Sequence, residues 1–318
     1  MKVVLIGPGG TSIPPKGWGA VEIVIWDYYQ NLIELGDDVV IINETNKHEI
    51  IRKTNQENAD IVHIMYDDHI DVLDYLSCRH VLYTTHWAYL TNMQKLQSTP
   101  GYARFVHILL NNRRKPYIFA LSQQIADVYK SYGFPEDKIS INHNGARHDL
   151  FHYSAEPQFT DRSIYVGKIE DRKKQYMYQN VPGLYFAGNC IDNRFDKTQP
   201  NYLGHWDKET LYSTLTEYGN LVLLSDGEAD PLVVKEALVS GLGVVVSEVA
   251  SANLDRTKGF IAIIPDSKLA DVEYISNAIK ENRMYSTSHR EEITTYAKRF
   301  YWKNIVAEYR KKLIELIN

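Results

Sequence analysis

The sequence predicts an α/β protein with two doubly wound domains. Short apolar segments that end in glycine or polar residues alternate with segments of helical periodicity, and the alternation occurs in both halves of the chain. The length of 318 residues corresponds to about two domains of ordinary size. A hydrophobic content of 44% supplies enough apolar side chains for two packed cores.

In the first half, residues 3–7 form a short apolar run that ends in glycine, which is typical of a buried parallel strand. Residues 20–36 have helical spacing and end at Gly36, a favourable residue for a helix C-terminus. Further strands are predicted at residues 38–43, 60–66, 80–85 and 117–122, and a further helix at residues 123–132.

The second half repeats the pattern. Strands are predicted at residues 163–167, 183–188, 219–225 and 243–247, and helices at residues 231–240 and 290–316. The polar stretch 153–162 contains a proline and has no strong periodicity, so we expect a domain boundary there. The predicted domains are residues 1–155 and 156–295, followed by a terminal helix at residues 296–318.

Charge and cysteine content exclude several classes of protein. The net charge of −5 is spread over both halves, so no basic region indicates a nucleic-acid partner. Cys78 and Cys190 are too few for a disulfide framework or a four-thiolate zinc site, which favours a reducing compartment. The apolar run near the N-terminus is too short for a signal peptide, and no 18-residue apolar run exists. We therefore expect a soluble, cytoplasmic protein.

The strongest local pattern follows the predicted strand 219–225. Asp230 is a plausible N-cap with Pro231 at the first helical position, so the free backbone N–H groups near Leu232 and Val233 would form an anion site. Side chains on a helix lean toward its N-terminus, which would bring Glu236 close to a bound phosphate and in reach of ribose hydroxyls.

A second glutamate, Glu228, precedes Glu236 with seven residues between them. Two glutamates alone are also compatible with an ordinary solvated strand–loop–helix. The whole segment, including Pro-Leu-Val at residues 231–233 and Glu-Ala-Leu-x-x-Gly-Leu-x-Val-Val at residues 236–245, resembles the signature of the family-4 retaining glycosyltransferases.

Other segments resemble that family in the same order along the chain. The glycine-rich residues 7–10 and the later Gly17, Trp18 and Gly19 are similar to the N-terminal loop that approaches the donor. A nicotinamide-binding fingerprint is excluded here, because Ser12 stands where its third glycine is needed and two prolines delay the helix. His86, in a Thr-x-His sequence after an apolar strand, resembles the family's histidine near the transferred sugar.

The diphosphate site of the family has a Gly-Arg-x4-Lys pattern, which Gly167, Lys168 and Lys173 resemble. Lysine replaces the usual arginine at position 168, which keeps the charge and loses the bidentate fork. Arg172 and Lys174 are rival candidates for the second cation.

Two further segments resemble parts of the family pattern. Gly204 belongs to a segment similar to the turns that enclose the nucleotide base. Residues 142–151 resemble the end of the first domain, but Arg147 stands where the family usually has aspartate.

The resemblance covers nearly the whole chain and implies the GT-B architecture: two Rossmann-like domains facing a cleft, with the last helix crossing back to the first domain. It implies an acceptor-side domain at residues 1–155 and a nucleotide-sugar domain at residues 156–295. Lys168, Lys173 and the helix N-terminus at Leu232–Val233 would then stabilise the leaving diphosphate without a metal, and no cofactor is implied besides the nucleotide-sugar co-substrate.

In the same pattern Glu236 would hold the ribose, Glu228 the donor-sugar hydroxyls and His86 the sugar. The family is described as using front-face attack, so the resemblance assigns no protein nucleophile. A saccharide or glycoconjugate would be the acceptor.

Several alternatives stay open at this point. The same fold carries sugar-nucleotide epimerases and hydrolases, and an inactive nucleotide-sugar binding module would share the motifs. Asp67, Asp68, His69 and Asp71 are also compatible with a divalent metal site, although solvated side chains at a strand end are the favoured interpretation. Residues 105–110, followed by three basic residues, are compatible with peripheral membrane binding, although a helix that packs inward is favoured.

Overall fold

The computed structural model describes residues 1–98 and 100–318. The strands are β1 (Lys2–Ile6), β2 (Asp38–Ile42), β3 (Ile61–Ile64), β4 (His80–Tyr83), β5 (Tyr117–Ala120), β6 (Ile139–Ile141), β7 (Phe159–Val166), β8 (Leu184–Ala187), β9 (Tyr218–Leu223), β10 (Gly243–Ser247) and β11 (Ile261–Ile264). The α-helices are α1 (Ala20–Glu34), α2 (Lys47–Gln56), α3 (Met93–Ser98), α4 (Pro100–Asn111), α5 (Gln123–Ser131), α6 (Gln175–Tyr178), α7 (Lys208–Thr214), α8 (Leu232–Val239), α9 (Val272–Ser288), α10 (Arg290–Ala297) and α11 (Trp302–Ile317).

The chain folds into two compact units. Residues 1–144 together with 302–318 form the N-terminal unit, and residues 145–301 form the C-terminal unit. Each unit contains one parallel sheet with helices, so the predicted fold class of two doubly wound domains is confirmed.

The N-terminal unit has a six-stranded sheet in the order β2-β1-β3-β4-β5-β6. Its strands are apolar because both faces of a parallel sheet are covered by helices. Helix α11, the last of the chain, packs against α1 in this unit. Its Tyr309 is fully buried, and the Tyr309 hydroxyl lies 2.9 Å from Nδ1 of His63 on β3. The predicted return of the terminal helix to the first domain is therefore confirmed.

The C-terminal unit has a five-stranded sheet in the order β11-β10-β9-β7-β8. Arg290, at the start of α10, is buried and donates hydrogen bonds to the carbonyl oxygens of Thr216, Tyr218 and Ser240. These bonds fix α10 to the amino-terminal side of the sheet.

Both sheets reverse their strand order at one place. In the N-terminal unit the reversal lies between β1 and β3, and in the C-terminal unit it lies between β7 and β9. In doubly wound proteins, ligands bind outside the carboxyl ends of the strands at such a reversal. A ligand-binding site is therefore expected in the loops after β1, β3, β7 and β9.

Several elements differ from the predictions. Strands β6 and β11 are additional to the predicted strands. Strand β7 begins at Phe159, inside the stretch 153–162 in which a domain boundary is expected. The single helix predicted at residues 290–316 is interrupted, because Tyr301 has an extended backbone and forms a parallel bridge with Ala146. Helix α6, directly after Lys174, has only four residues.

Candidate active site

Two glycines permit close backbone packing at the carboxyl end of β7 and its neighbour β8. Gly167 has φ +146°, and a Cβ there would lie 2.6 Å from Nζ of Lys173. Gly188 has φ +147°, and a Cβ there would lie 2.1 Å from the carbonyl oxygen of Gly167. Both positions exclude any larger residue, because side chains would collide and the backbone conformation favours glycine. The Lys173 ammonium consequently lies directly against the backbone of β7.

A buried tyrosine holds the Lys173 backbone in place. The hydroxyl of Tyr165 donates to the carbonyl oxygen of Lys173 at 2.7 Å and accepts from the N–H of Leu224 at 2.9 Å. Burial raises the pKa of Tyr165 well above its usual value, so the hydroxyl keeps its proton and can serve both bonds. Tyr165 therefore connects the end of β9 to the turn that carries Lys173.

Arg172, one of the two other candidates for the second diphosphate-binding cation, forms ion pairs with carboxylates of the protein. Its guanidinium forms ion pairs with Glu228 at 2.6 Å and with Glu170 at 2.9 Å. Glu170 also has Lys168 at 4.0 Å, at the limit of an ion pair, and the Lys168 side chain is about half exposed. Arg172 is thus neutralised by carboxylates of the site itself, whereas Lys168 remains largely open to solvent.

Lys174, the other rival, is also paired. It lies 3.1 Å from Asp171 and 3.4 Å from Asp226. Lys173 forms no ion pair with any carboxylate of residues 1–98 and 100–318. Of the three consecutive cations, Lys173 is the one whose charge is left for another anion.

Opposing effects act on the pKa of the Lys173 ammonium. Burial lowers this pKa, and the neighbouring charge of Arg172 also lowers it. The nearby carboxylates of Glu228, Glu170 and Glu236 raise it and offset only part of this lowering. A bound anion would favour the charged form further, since an opposite charge raises the pKa of an amine. The site is therefore organised around a cation that lacks a close partner.

The N-terminus of α8 provides a second attraction for an anion. Helix α8 begins at Leu232, with Pro231 in the N-cap position, no side-chain cap and no acidic residue in its first turn. The prediction of Asp230 as N-cap is therefore wrong. Asp230 instead forms a buried ion pair with Lys235 and accepts from Asn253 at 3.1 Å. The backbone N–H groups of the first turn remain without a side-chain cap.

The two glutamates lie on either side of this helix start. Glu228 lies in the loop before α8, and its side chain is 11% exposed. Glu236 lies one turn into α8, is half-buried, and is close enough to Lys173 to raise its pKa. The structure therefore brings Lys168, Lys173, Glu228 and Glu236 together around the β7–β9 reversal.

The turns after β8 are built from backbone groups. The N–H of Gly188 donates to the carbonyl oxygen of Gly204 at 2.8 Å, and the Tyr202 hydroxyl donates to the carbonyl oxygen of Gly188 at 3.0 Å. Gly204 has φ +76°, and a Cβ at this position would have no described atom within 4 Å, so only its backbone conformation favours glycine.

In the N-terminal unit, the loop after β1 is fixed by polar side chains. Asn43 accepts from the N–H of Gly9 at 2.7 Å and donates to the carbonyl oxygen of Thr11 at 2.7 Å. The Thr11 hydroxyl donates to Glu22 on α1 at 2.7 Å. The predicted donor-binding residues follow in the same loop, where Gly17 is exposed and Trp18 is 44% exposed.

Gly19 directly precedes α1, and a Cβ there would lie 2.7 Å from Glu22. His86 follows β4 in the same unit. Its Nε2 atom is buried and has no hydrogen-bond partner among the described residues. Burial lowers the pKa of His86 to about 4, so the ring is neutral at pH 7.

The possible metal ligands after β3 do not converge. The carboxylate of Asp67 is buried and accepts from the Tyr83 hydroxyl, whereas Asp71 forms an ion pair with Lys47 at 2.5 Å. Within residues 1–98 and 100–318, no group of three or more His, Cys, Asp or Glu side chains is arranged to hold a metal ion.

Two of the three basic residues after α4 donate hydrogen bonds within the unit, whereas Arg113 is exposed. Arg114 donates to the carbonyl oxygen of Leu76 at 2.6 Å, and Lys115 donates to that of Leu110. In the described ranges of the chain, no helix is long and apolar enough to cross a bilayer.

The chain has the GT-B fold. This fold is defined by two units that each contain a parallel sheet with a strand reversal, and by a terminal helix that belongs to the first unit. Solved structures with this fold match the chain over 99% of its length. Sucrose-phosphate synthase from Thermosynechococcus elongatus has a TM-score of 0.75 at 16% identity over 98% of its own chain. Anabaena HepE in complex with UDP-glucose has a TM-score of 0.73 at 14% identity over its whole chain. The lipopolysaccharide outer core galactosyltransferase WaaB has a TM-score of 0.70 at 14% identity over 99% of its chain.

These similarities establish the fold. No protein-family model matches the sequence, and no curated protein sequence gives a significant match.

The sequence did not reveal the roles of Tyr165, Arg172 and Asp230. Tyr165 precedes the glycine of the diphosphate motif and its hydroxyl contact depends on strand pairing with β9. No local pattern distinguishes Arg172 from Lys173, since both are basic residues in one turn.

Proposed function

We propose that the protein is a retaining glycosyltransferase that moves a hexose-type sugar from a nucleotide-diphosphate donor to an acceptor hydroxyl. The observation that supports this most strongly is the arrangement at the β7–β9 reversal. There a lysine without an ion pair, Lys173, lies near an uncapped helix N-terminus and the carboxylates Glu228 and Glu236. Cations together with helix N–H groups suit a diphosphate, and carboxylates suit the hydroxyls of sugars.

The diphosphate would bind to Lys168, Lys173 and the N–H groups of Leu232 and Val233. Lys168 can reach an incoming anion because its side chain is about half exposed and its contact with Glu170 is long. Charge that develops on the leaving diphosphate would be stabilised by groups already in position, which is often the largest contribution to catalysis. We propose that this makes a metal ion unnecessary.

For the remaining parts of the donor, we assign binding residues from the resemblance to the family-4 glycosyltransferases. Glu236 would accept hydrogen bonds from the ribose hydroxyls, and Glu228 from hydroxyls of the transferred sugar. The backbone turn that contains Gly204 would enclose the base. The loop with Gly17, Trp18 and Gly19 would approach the donor, and neutral His86 would exchange hydrogen bonds with the sugar.

In the proposed reaction the bond from the anomeric carbon to the diphosphate oxygen breaks, and a bond from that carbon to the acceptor oxygen forms. The proton of the acceptor hydroxyl passes to the departing diphosphate oxygen. This scheme requires no protein nucleophile and no cofactor besides the nucleotide sugar.

We assign the donor to the C-terminal unit and the acceptor, a saccharide or glycoconjugate, to the N-terminal unit. The donor assignment is supported by the cation cluster, which belongs entirely to residues 145–301. We also propose a cytoplasmic location, because Cys78 and Cys190 are both free thiols.

The test begins with a thermal-shift screen of UDP-, GDP-, ADP- and dTDP-sugars, since a bound donor stabilises the fold by mass action. The donor that raises the melting temperature is then incubated with a panel of saccharide acceptors, and products are identified by mass spectrometry. Sugar attached to an acceptor with release of nucleoside diphosphate supports the proposal. Free sugar alone indicates a hydrolase, an altered nucleotide sugar indicates an epimerase, and binding without turnover indicates an inactive module.

A further inference from the structure

Arg172 connects two loops of the candidate site through both its backbone and its side chain. Its carbonyl oxygen accepts from the N–H of Asp226 at 2.9 Å. Its guanidinium donates to the carbonyl oxygen of Gly227 and to Oε1 of Glu228, both through Nη1. The turn after β7 is thereby joined to the loop after β9 at three places.

The other side of the guanidinium is held as well. Nη2 donates to Oε1 of Glu170 at 2.9 Å. The amide of Glu170 in turn donates to the side chain of Gln175 at 3.3 Å, and Gln175 donates to the carbonyl oxygen of Lys168 at 2.9 Å. Gln175 is buried. The position of Arg172 is therefore fixed by a network that begins inside the protein.

Glu228 has one oxygen engaged and one available. Oε1 accepts from Arg172 at 2.6 Å, whereas Oε2 accepts no hydrogen bond from residues 1–98 and 100–318. The side chain is only 11% exposed, so it has little freedom to turn away. A carboxylate with one oxygen fixed presents the other in a defined direction.

We propose that Arg172 is a positioning residue that orients Glu228 toward hydroxyls of the donor sugar and does not bind the diphosphate. The proposal rests on the proposed function. It assigns separate tasks to neighbouring residues: Lys173 attracts the anion, and Arg172 aligns the carboxylate that recognises the sugar. Arginine suits this task because its planar fork serves several acceptors at once, whereas lysine offers a single charged point.

The test compares Arg172→Gln with Lys174→Gln, a matched change at a cation that pairs with Asp171 and Asp226. Affinities are measured by calorimetry for four pairs of probes: UDP and UDP-glucose, GDP and GDP-mannose, ADP and ADP-glucose, and dTDP and dTDP-glucose. The pair that binds the wild-type protein is used for both variants.

We expect Arg172→Gln to keep the affinity for the nucleoside diphosphate within about twofold. It should lose about tenfold or more of the affinity for the nucleotide sugar, as expected when a charged hydrogen bond is removed. Lys174→Gln should change neither affinity. Arg172→Lys should recover part of the loss because it restores one charged contact to Glu228.

A loss of nucleoside-diphosphate affinity in Arg172→Gln equal to the loss for the nucleotide sugar overturns the proposal, because Arg172 would then bind the diphosphate. If Arg172→Gln does not fold, the nucleotide-sugar affinity of Glu228→Gln is compared with that of the double variant Glu228→Gln/Arg172→Lys, and this comparison tests the proposal instead. The proposal expects no further loss in the double variant, and an added tenfold loss contradicts it. A wild-type protein that binds none of the eight probes contradicts the proposed function itself, which is a separate result.

Discussion

The two units have the same kind of fold, but the helices that begin near their strand reversals differ in the charge of their first turns. In the N-terminal unit, helix α1 follows β1 and carries Glu22 in its first turn, and this carboxylate accepts from Thr11. In the C-terminal unit, helix α8 follows β9 and has no acidic residue in its first turn, and neither of the two helices has a side-chain cap. An anion is attracted to a helix N-terminus only when that end is not already neutralised. We propose that the chemistry of the first turn, rather than the fold, determines which helix start binds an anion.

Two lysines of the N-terminal unit differ from Lys173 in their pairing. At the β1–β3 edge, Lys47 pairs with Asp71 and Lys53 pairs with Glu44. At the β7–β9 edge, Lys173 has no ion pair among the residues that the structure describes. Lys47 and Lys53 of the N-terminal unit are therefore paired with carboxylates, whereas Lys173 of the C-terminal unit is not, and this difference is one reason for proposing that the diphosphate binds to the C-terminal unit.

Removing the Glu236 carboxylate, which we propose binds the ribose, should have the largest effect on the C-terminal site. We expect Glu236→Ala to lower the transfer rate by about 100-fold or more, because a charged acceptor of hydrogen bonds is lost close to the reacting centre. The variant should keep the fold, since Glu236 is half-buried on the site-facing start of α8. Circular dichroism checks the fold, and Glu273→Ala, an exposed change on α9, is the matched control. A rate close to that of the wild type would remove Glu236 from the site.

Low pH should act on the N-terminal unit through its buried histidines. Burial lowers the pKa of His63 to about 3 and that of His86 to about 4, from 6.5. The unfolded chain therefore binds more protons than the folded one below pH 6.5, and the free energy of unfolding decreases as the pH falls through this window. We expect a loss on the order of 2 kcal/mol per histidine by about pH 5.

Hydrogen exchange followed by mass spectrometry measures this effect in peptides of the N-terminal unit. His63→Gln should reduce the pH dependence, whereas His48→Gln, at an exposed position, should leave it unchanged. Equal pH dependence in all three proteins would contradict the assignment.

A carboxylate placed in the first turn of α8 would make this helix resemble α1. We expect Val233→Glu to weaken nucleoside-diphosphate binding by about tenfold, because the negative charge neutralises the helix end and repels the anion. Val233→Gln is the control of equal size without charge, and it should weaken binding far less. The same loss in both variants would show that size, rather than charge, is responsible.

Much of the fold follows from the sequence because apolar strands and glycine-ended loops are local features. The strand before Gly167 and the loop before α8 can each be predicted from the residues that form them. The interruption of the C-terminal helix at Tyr301 cannot be predicted in this way, because it depends on a bridge to Ala146, which is distant in sequence. Strand β11 is only four residues long, and a short apolar run does not distinguish strand from helix.

The sequence nominated the residues of the candidate site, but it could not predict the contacts that these residues make. The motif pointed to the region of Lys168 and Lys173, and the structure brings these residues together with Glu228 and Glu236. Which of three consecutive cations lacks a partner depends on carboxylates from separate loops, namely Glu228 and Asp226. Asp230 shows the same limit, because its carboxylate pairs with Lys235 in the interior instead of capping α8.

The most direct measurement is the calorimetric affinity of Lys173→Ala for the nucleoside diphosphate that binds the wild-type protein, with Lys174→Ala beside it. An unpaired cation next to an uncapped helix should contribute strongly, so Lys173→Ala is expected to bind at least about tenfold more weakly, while Lys174→Ala keeps the wild-type affinity. Equal affinities of the two variants would contradict the assignment of the anion site to Lys173 and the start of α8.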